Sequence, residues 1–599
     1  MNSTTTPLKA RRFKWKKENK MSYIDNYKEW LFSDELDQHE KARLASLTEK
    51  EKEEMFYGPL AFGTAGMRGI LDVGTNRMNV HTVKRATKGL ADYVNSLGAE
   101  ARKRGVVISY DTRRFSGEFA VAVSKVLSAN GVKAWLYEDV RPVPMCSFAV
   151  RHLGAICGVM ITASHNPKEY NGYKVYGEDG AQMNPEATDK VVEFISSTPY
   201  FGINEAKVSF DSNSIKGKNN VALDDYITVI GKDVDDKYFD AIETQGLSPE
   251  AVKEYADKVK IVYTPIHGSG FMPVTTILGR MGIPVSVVSE QALPDTEFGT
   301  VRVPNPEEAD TLSMGIELAD KIGSDIVIGT DPDADRMGIA VRDRSGKFVL
   351  VNGNQIGVLL ADYIMRRRSE NGTLPENGAM VKTIVTTELA RRVADHYGVT
   401  TFDVLTGFKF IGEKMTTWEA TGEYTYVFGF EESYGSLVGN HARDKDAVVA
   451  SMLFAEMTCY YASKGKTVYD VLQEIFAEYG YFIEKTISIT FPGLDGMDKM
   501  ASIMKLMRET SYRNIAGKRV VRVDDFVTRT STDENGDKSP LDLPKTNALK
   551  LHLDGGDWIC VRPSGTEPKL KIYGAASAST LDSAKAKVEE YLATMKSMC

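Results

Sequence analysis

Residues 158–176 read GVMITASHNPKEYNGYKVY. Gly158 to Thr162 is a short apolar, β-branched run of the kind that makes a buried strand, and it stops at Ala163-Ser164-His165-Asn166-Pro167. Ser164 therefore falls on a turn at a strand's carboxyl end, where open α/β sheets collect their ligands. Pro167 drives Asn166 away from helical geometry and stiffens the turn. On these grounds alone Ser164, with His165 beside it and Lys174 ten residues on, is a nucleophile, a phosphoryl carrier or simply a polar turn residue.

The surroundings of this stretch have a βαβ rhythm. His81 to Ser96 reads as a helix, Gly105 to Tyr110 as a strand, Ser116 to Asn130 as a helix capped by Ser116, and Val132 to Tyr137 as a strand. Upstream, Trp30, Leu31, Leu36, Leu44 and Leu47 space out helices that wrap a domain surface. In Phe62-Gly63-Thr64-Ala65-Gly66-Met67-Arg68-Gly69 the glycines allow close backbone approach, and Arg68 offers a fork of donors.

At 599 residues the chain is too long for one core, and about 150 residues per domain suggests about four domains. A net charge of −8 argues against a general nucleic-acid binder or a membrane-surface protein. The five cysteines include no C-x-x-C pair and fit neither a disulfide framework nor a zinc site, which points to a reducing cytoplasm. No run is long and apolar enough for a membrane helix. The first residues are basic without an apolar core, and read as a disordered leader ahead of Met21.

A second unit follows the polar stretch Ser214 to Leu223, with strands at Val259 to Thr264, Pro284 to Ser289 and Asp325 to Gly329. Between the first two, His267 in the turn His267-Gly268-Ser269-Gly270 reads as structural. The third strand runs into Thr330-Asp331-Pro332-Asp333-Ala334-Asp335-Arg336. Carboxylates at alternate positions repel unless a cation sits among them, and oxygen ligands suit Mg²⁺ or Ca²⁺. An EF-hand would need Gly and Glu where Arg336 and Arg342 stand. A solvated acidic turn remains the alternative.

A third unit runs from about Phe348 to the loop Gly429-Phe430-Glu431-Glu432-Ser433-Tyr434-Gly435, preceded by Thr406-Gly407 and followed by Lys445 at the head of a long helix. Acceptors such as Glu431 beside a hydroxyl such as Ser433 suit sugar hydroxyls. From about Gly480 strands run together, as in an α+β domain. There Arg562-Pro563-Ser564-Gly565-Thr566-Glu567-Pro568-Lys569 combines charge, hydroxyls and an open backbone into an anion nest.

The serine, acidic, Glu-Glu-Ser and terminal loops together resemble, in order, those of the α-D-phosphohexomutases, the phosphoglucomutase and phosphomannomutase superfamily. The resemblance spans nearly the whole chain from about Met21. It implies an α/β fold of three consecutive α/β domains with mixed, mostly parallel sheets and a C-terminal α+β domain around a central cleft. The boundaries expected are a leader at 1–21 and domains at 22–215, 216–345, 346–478 and 479–599. It implies a phosphorylated Ser164 with Arg68, Lys174, His165 and Lys445 as catalytic groups, and Mg²⁺ held by Ser164, Asp331, Asp333 and Asp335. Substrate contacts would come from Arg336, Thr406, Gly407, Glu431, Ser433, Arg562, Ser564, Gly565, Thr566 and Lys569. The activity implied is interconversion of glucose 1-phosphate and glucose 6-phosphate, with glucose 1,6-bisphosphate as intermediate and activator. Pentose or mannose phosphates are the alternatives within the family, and a metal-dependent sugar phosphatase the alternative outside it. Partners would be small sugar phosphates, with neither nucleic acid nor membrane, in a cytoplasmic monomer or weak homo-oligomer.

Overall fold

The computed structural model describes residues 22–63, 66–491, 496–564 and 569–599. The basic leader, Gly565 and Thr566 lie outside the described residues. The chain divides into two compact units: the first comprises the described residues to Pro142, Ala149–Asp236 and Asp295–Gly299, and the second comprises the remainder.

In the first unit three short helices, Tyr23–Leu31, Gln38–Ala45 and Glu49–Phe56, each begin with a capping box, at Ser22 and Asp25, Asp37 and Glu40, and Thr48 and Glu51. Each box satisfies orphan amides at a helix start, so these short, highly charged segments hold helical form. Trp30, Leu44 and Phe56 then bury themselves with Tyr200 and Phe201. The main sheet comprises β1 (Met67–Ile70), β2 (Val106–Tyr110), β3 (Ala134–Tyr137), β4 (Cys157–Ile161), β5 (Tyr170–Tyr176), β6 (Val221–Ala222) and β7 (Ile227–Ile230), in the order β1-β5-β4-β2-β3-β7-β6. Its centre is parallel and its edges antiparallel. Val106, Ile108, Val159 and Ile161 are fully buried in its core, each contributing about 1.5–3 kcal/mol.

Two expectations are corrected here. The first sheet does not end near residue 215, because β7 pairs in parallel with β3 and extends it. Nor does Ser116 cap its helix: Phe115 occupies that position in a left-handed conformation, and the Ser116 hydroxyl donates instead to Asp111 Oδ1 at 2.7 Å.

In the second unit, β8 (Ile261–Thr264), β9 (Val285–Val287), β10 (Ile326–Thr330), β11 (Met337–Arg342) and β12 (Phe348–Val351) form a sheet of order β12-β11-β10-β8-β9. β12 was expected to open the third unit, but it pairs antiparallel with β11 across a tight turn and closes the second sheet. β13 (Gly378–Thr383), β14 (Thr400–Val404), β15 (Thr425–Phe430) and β16 (Ser436–Leu437) form the next, in the order β14-β13-β15-β16. Each sheet is parallel from its centre to one edge and antiparallel at the other, so the expected α/β class holds. The last sheet is antiparallel, running from Tyr481–Thr490 through Lys569–Ala578, Trp558–Pro563 and Leu549–Leu553 to Lys518–Asp525. Period-2 alternation splits its faces. Ile559 and Val561 pack with Met504, Tyr591 and Leu592 of the helices Gly496–Glu509 and Leu581–Ser597, while Trp558 and Cys560 pack with Ile384, Val385 and Leu405 of the preceding domain.

Candidate active site

In the first unit, β4 and β5 run antiparallel with Met160 opposite Lys174 and Ile161 opposite Tyr173, and Ser164 lies on the turn that follows β4. Its φ is +52° and it is 4% exposed. A non-glycine residue in that region is held there by its surroundings. The Ser164 amide donates to Thr162 Oγ1 at 2.8 Å, and the Thr162 hydroxyl donates to Asp111 Oδ2 at 2.6 Å. His165 Nδ1 lies 3.3 Å from Ser164 Oγ, within reach of a proton on it. Arg68 Nη1 donates to Asn166 Oδ1 at 3.0 Å, and Lys174 is buried on β5. Glycine is obligatory at Gly172, where a Cβ would stand 2.5 Å from the Thr162 carbonyl oxygen.

Two residues that the sequence reading passed over shape this turn. Asp111 accepts from Thr162, from Ser116 and from the Arg113 amide, and burial pushes its carboxyl above the usual range despite the nearby Arg113 guanidinium. Arg113 donates to the carbonyls of Ser164, Asn166, Pro167 and Tyr170. Asp111-Thr112-Arg113-Arg114 following a strand reads as an ordinary solvated turn, and no local pattern announces bonds to carbonyls some fifty residues away.

In the second unit, the buried strand β10 delivers the acidic turn. Asp331, Asp333 and Asp335 are 0%, 0% and 2% exposed, and one oxygen of each lies within 4.8 Å of the others. Asp331 Oδ1 accepts from the amides of Asp335 and Arg336 at 3.1 and 3.0 Å, which curls the turn around it. The Ser269 amide and hydroxyl both donate to the Pro332 carbonyl at 2.8 Å. His267, expected to be structural, is buried with Nδ1 3.0 Å from the Leu293 carbonyl and Nε2 2.8 Å from Thr300 Oγ1. Burial first, then Asp333 and Asp335, push the Asp331 carboxyl well above its ordinary range. Carboxylates confined in this way fit an oxygen-ligated divalent cation.

Lys445 Nζ lies 3.1 Å from Asp335 Oδ2 and 2.9 Å from Asp444 Oδ1. Burial would depress its pKa, but Asp335, Asp444 and Glu431 outweigh it and hold the ammonium charged. Gly435 makes room for the stem, since a Cβ there would meet Lys445 Cδ at 2.0 Å. Glu431 Oε1 accepts from the Gly407 amide at 2.8 Å. Burial pushes the Glu431 carboxyl up to about 7, against the pull of Lys445 and with the push of Glu432. The Met337 amide donates to the Tyr434 carbonyl at 3.1 Å, so the acidic turn and the Glu-Glu-Ser loop are joined. Arg336 Nη1 is 2.5 Å from Glu307 Oε1, a residue the sequence did not single out, and Glu432 Oε2 of the Glu-Glu-Ser loop accepts from Thr383 and Thr386. Thr406 and Ser433 are half-buried. Arg562 and Lys569 stand on the paired strands flanking the terminal loop, where the Ser564 amide donates to the Lys569 carbonyl at 2.7 Å.

Sequence models of phosphoglucomutase/phosphomannomutase α/β/α domains I, II and III match residues 59–200, 236–346 and 352–479. A phosphoglucomutase of Staphylococcus epidermidis is 37% identical over 547 residues, covering 91% of this chain and 95% of its own. One of Staphylococcus aureus is 36% identical over 541 residues, covering 90% and 93%. The chain belongs to the phosphoglucomutase/phosphomannomutase family. Among solved structures, parafusin, the phosphoglucomutase of Paramecium in its open form, shares the fold at a TM-score of 0.63 and 18% identity, over 90% of this chain and 96% of that one. A family protein of Burkholderia thailandensis does so at 0.62 and 16%, over 89% and 96%. Among the described residues no helix is long and apolar enough to cross a membrane.

Proposed function

We propose that this protein is an isomerase that interconverts glucose 1-phosphate and glucose 6-phosphate through a phosphorylated Ser164. Its similarity to staphylococcal phosphoglucomutases over nine-tenths of its length carries the reading. A buried serine held on a rigid turn and a buried triad of carboxylates supply the chemistry that reading needs.

The phosphoryl group on Ser164 passes to one hydroxyl of the sugar monophosphate: the P–O bond to serine breaks, a P–O bond to the sugar oxygen forms, and the hydroxyl proton leaves to a base. Glucose 1,6-bisphosphate results, and its other phosphate returns to Ser164 after the sugar turns over. His165, placed 3.3 Å from Ser164 Oγ, can hold or deliver the serine's proton. Arg68 and Lys174 offset charge on the phosphoryl oxygens. Asp331, Asp333 and Asp335, with Ser164, would hold Mg²⁺, which when bound neutralises charge on the transferring group. Lys445 contributes a fixed positive charge beside Asp335. Glu431, with Gly407, Thr406 and Ser433, receives the sugar hydroxyls, and Arg336 and the terminal loop with Arg562, Ser564 and Lys569 take the phosphate that is not reacting. We place the enzyme in the cytoplasm, acting on free sugar phosphates.

The test is the initial isomerisation rate with Mg²⁺ and a priming amount of glucose 1,6-bisphosphate, on glucose 1-phosphate and ribose 1-phosphate in parallel. A preference for glucose of about tenfold or more in kcat/KM, equal to about 1.4 kcal/mol, supports the proposal. A preference for ribose 1-phosphate overturns the substrate assignment, and phosphate release without isomer overturns the reaction.

A further inference from the structure

The side chain of Arg113 is fully buried, with its Nε 3.3 Å from Asp111 Oδ2. Its other donors are spent on the main chain of the serine turn. Nη2 donates to the carbonyls of Ser164 and Asn166 at 2.5 and 2.6 Å, and Nη1 to those of Pro167 and Tyr170 at 2.9 and 3.0 Å. A planar fork is the one cationic side chain that can meet several oxygens in fixed directions; a lysine is a point charge on a flexible stem. These carbonyls belong to the residues that carry Ser164 through its left-handed conformation at φ +52°, a geometry that persists only when its surroundings over-determine it.

The fork is itself held. The Phe298 ring centroid lies 5.3 Å from the Arg113 guanidinium carbon, and the ring is 1% exposed. Phe298 sits in the segment Asp295–Gly299, which belongs to the same compact unit as the serine turn. Asp295 shapes that segment by accepting from the amides of Glu297 and Gly299. Glu297 pairs with Arg114, next in sequence to the fork, and with Lys168 at 3.0 Å on the far side of the serine turn.

We infer that Arg113, buttressed by Phe298, is the positioning residue of the phosphoryl-carrying serine: the fork fixes the direction of Ser164 Oγ without contacting substrate. The inference rests on the proposed role of Ser164 as phosphoryl carrier. It places the precision of the site in main-chain hydrogen bonds to a guanidinium, and it gives the segment Asp295–Gly299 a positioning part through Phe298.

The experiment follows the transfer step alone. Full-length protein is mixed with glucose 1,6-bisphosphate and Mg²⁺, quenched at intervals, and the phosphorylated fraction of the Ser164 peptide is read by mass. Arg113→Lys keeps the charge and loses the fork; it is expected to slow labelling by about 100-fold, the scale of a small misplacement, with the half-saturating bisphosphate concentration within about threefold of wild type. Phe298→Leu keeps the segment and removes the ring, and is expected to slow labelling by about three- to tenfold at unchanged half-saturation. It stands as the deciding variant if Arg113→Lys does not fold. Labelling at the wild-type rate in the folded variants, or a loss expressed only in half-saturation, overturns the inference alone. A wild-type protein that takes no phosphoryl group on Ser164 overturns it together with the function on which it rests.

Discussion

The serine turn and the acidic turn are both buried and both follow a central strand, but they are held in opposite ways. Around Ser164 its amide donates to the Thr162 hydroxyl, that hydroxyl to the Asp111 carboxylate and the Arg113 guanidinium to carbonyls, so the groups largely satisfy one another. Around Asp331 two backbone amides hold one oxygen, but three carboxylates crowd together and repel, with Lys445 on one of them. The first turn is finished by folding; the second is poised for a cation. A buried like-charge cluster costs stability until a counter-charge arrives, whereas a hydrogen-bonded turn gains from each bond it completes.

The difference predicts how each turn breaks. Ser164→Ala should reduce isomerisation to below about one ten-thousandth of wild type while leaving the melting temperature essentially unchanged, because the hydroxyl is not what holds the turn. Asp333→Asn should lower kcat/KM by about 100-fold or more, the loss of a charge-neutralising cation. In the absence of Mg²⁺ the same variant should melt higher than wild type, since it removes one of the repelling charges, by about 2–4 °C for each kcal/mol relieved. It should also lose the stabilisation that Mg²⁺ gives wild type, about 2.7 kcal/mol at a hundred times Kd. A metal-free variant that melts lower than wild type would put the acidic turn in the same class as the serine turn.

How much of this the sequence carries depends on the range of the interaction. The strand that stops at Ser164 and the alternating carboxylates are local patterns, readable because a turn or a charge cluster is written in consecutive residues. The strand Lys518–Asp525 shows no clean alternation, because its register shifts between Val520 and Arg522 and one of its two buried positions, Asp524, is charged. Range did hide Arg113, whose partners lie far along the chain, whereas β12 was misplaced although it pairs with the adjacent β11 in a short hairpin. Ser116 followed the usual rule for a helix start, yet Asp111 competes for its hydroxyl and wins. A cap is a local preference, and a fully buried carboxylate that gathers every donor within reach outweighs it.

Glu431 sharpens the contrast through pH. Its carboxyl is pushed up to about 7 from an ordinary 4.5 by burial, so the folded protein binds this proton more tightly than the unfolded chain does. Stability from this group is therefore greatest below pH 4.5, falls as pH rises from there to about 7, and is level above that. The fall amounts to about 3 kcal/mol at most, at about 1.36 kcal/mol per pH unit. Urea unfolding of wild type and Glu431→Gln between pH 5 and 8 should show the slope in the first and its loss in the second. Equal slopes would mean that Lys445 already keeps Glu431 ionised in the fold.

The smallest effect is the one that separates the two devices most cleanly. Ser116→Ala removes one hydroxyl donated to Asp111 and one acceptor for Asn171 Nδ2, and both partners keep other bonds, to the Arg113 amide and to the Arg114 carbonyl. The cost should be about 1 kcal/mol. It should be the same with and without Mg²⁺, because the change touches only the scaffold behind the serine turn and moves no charge. Chemical denaturation at saturating and zero Mg²⁺ measures both values. If the cost grows when the cation is present, the scaffold of the serine turn and the charge of the acidic turn are coupled, and a turn completed by folding would then also depend on the cation for part of its strength.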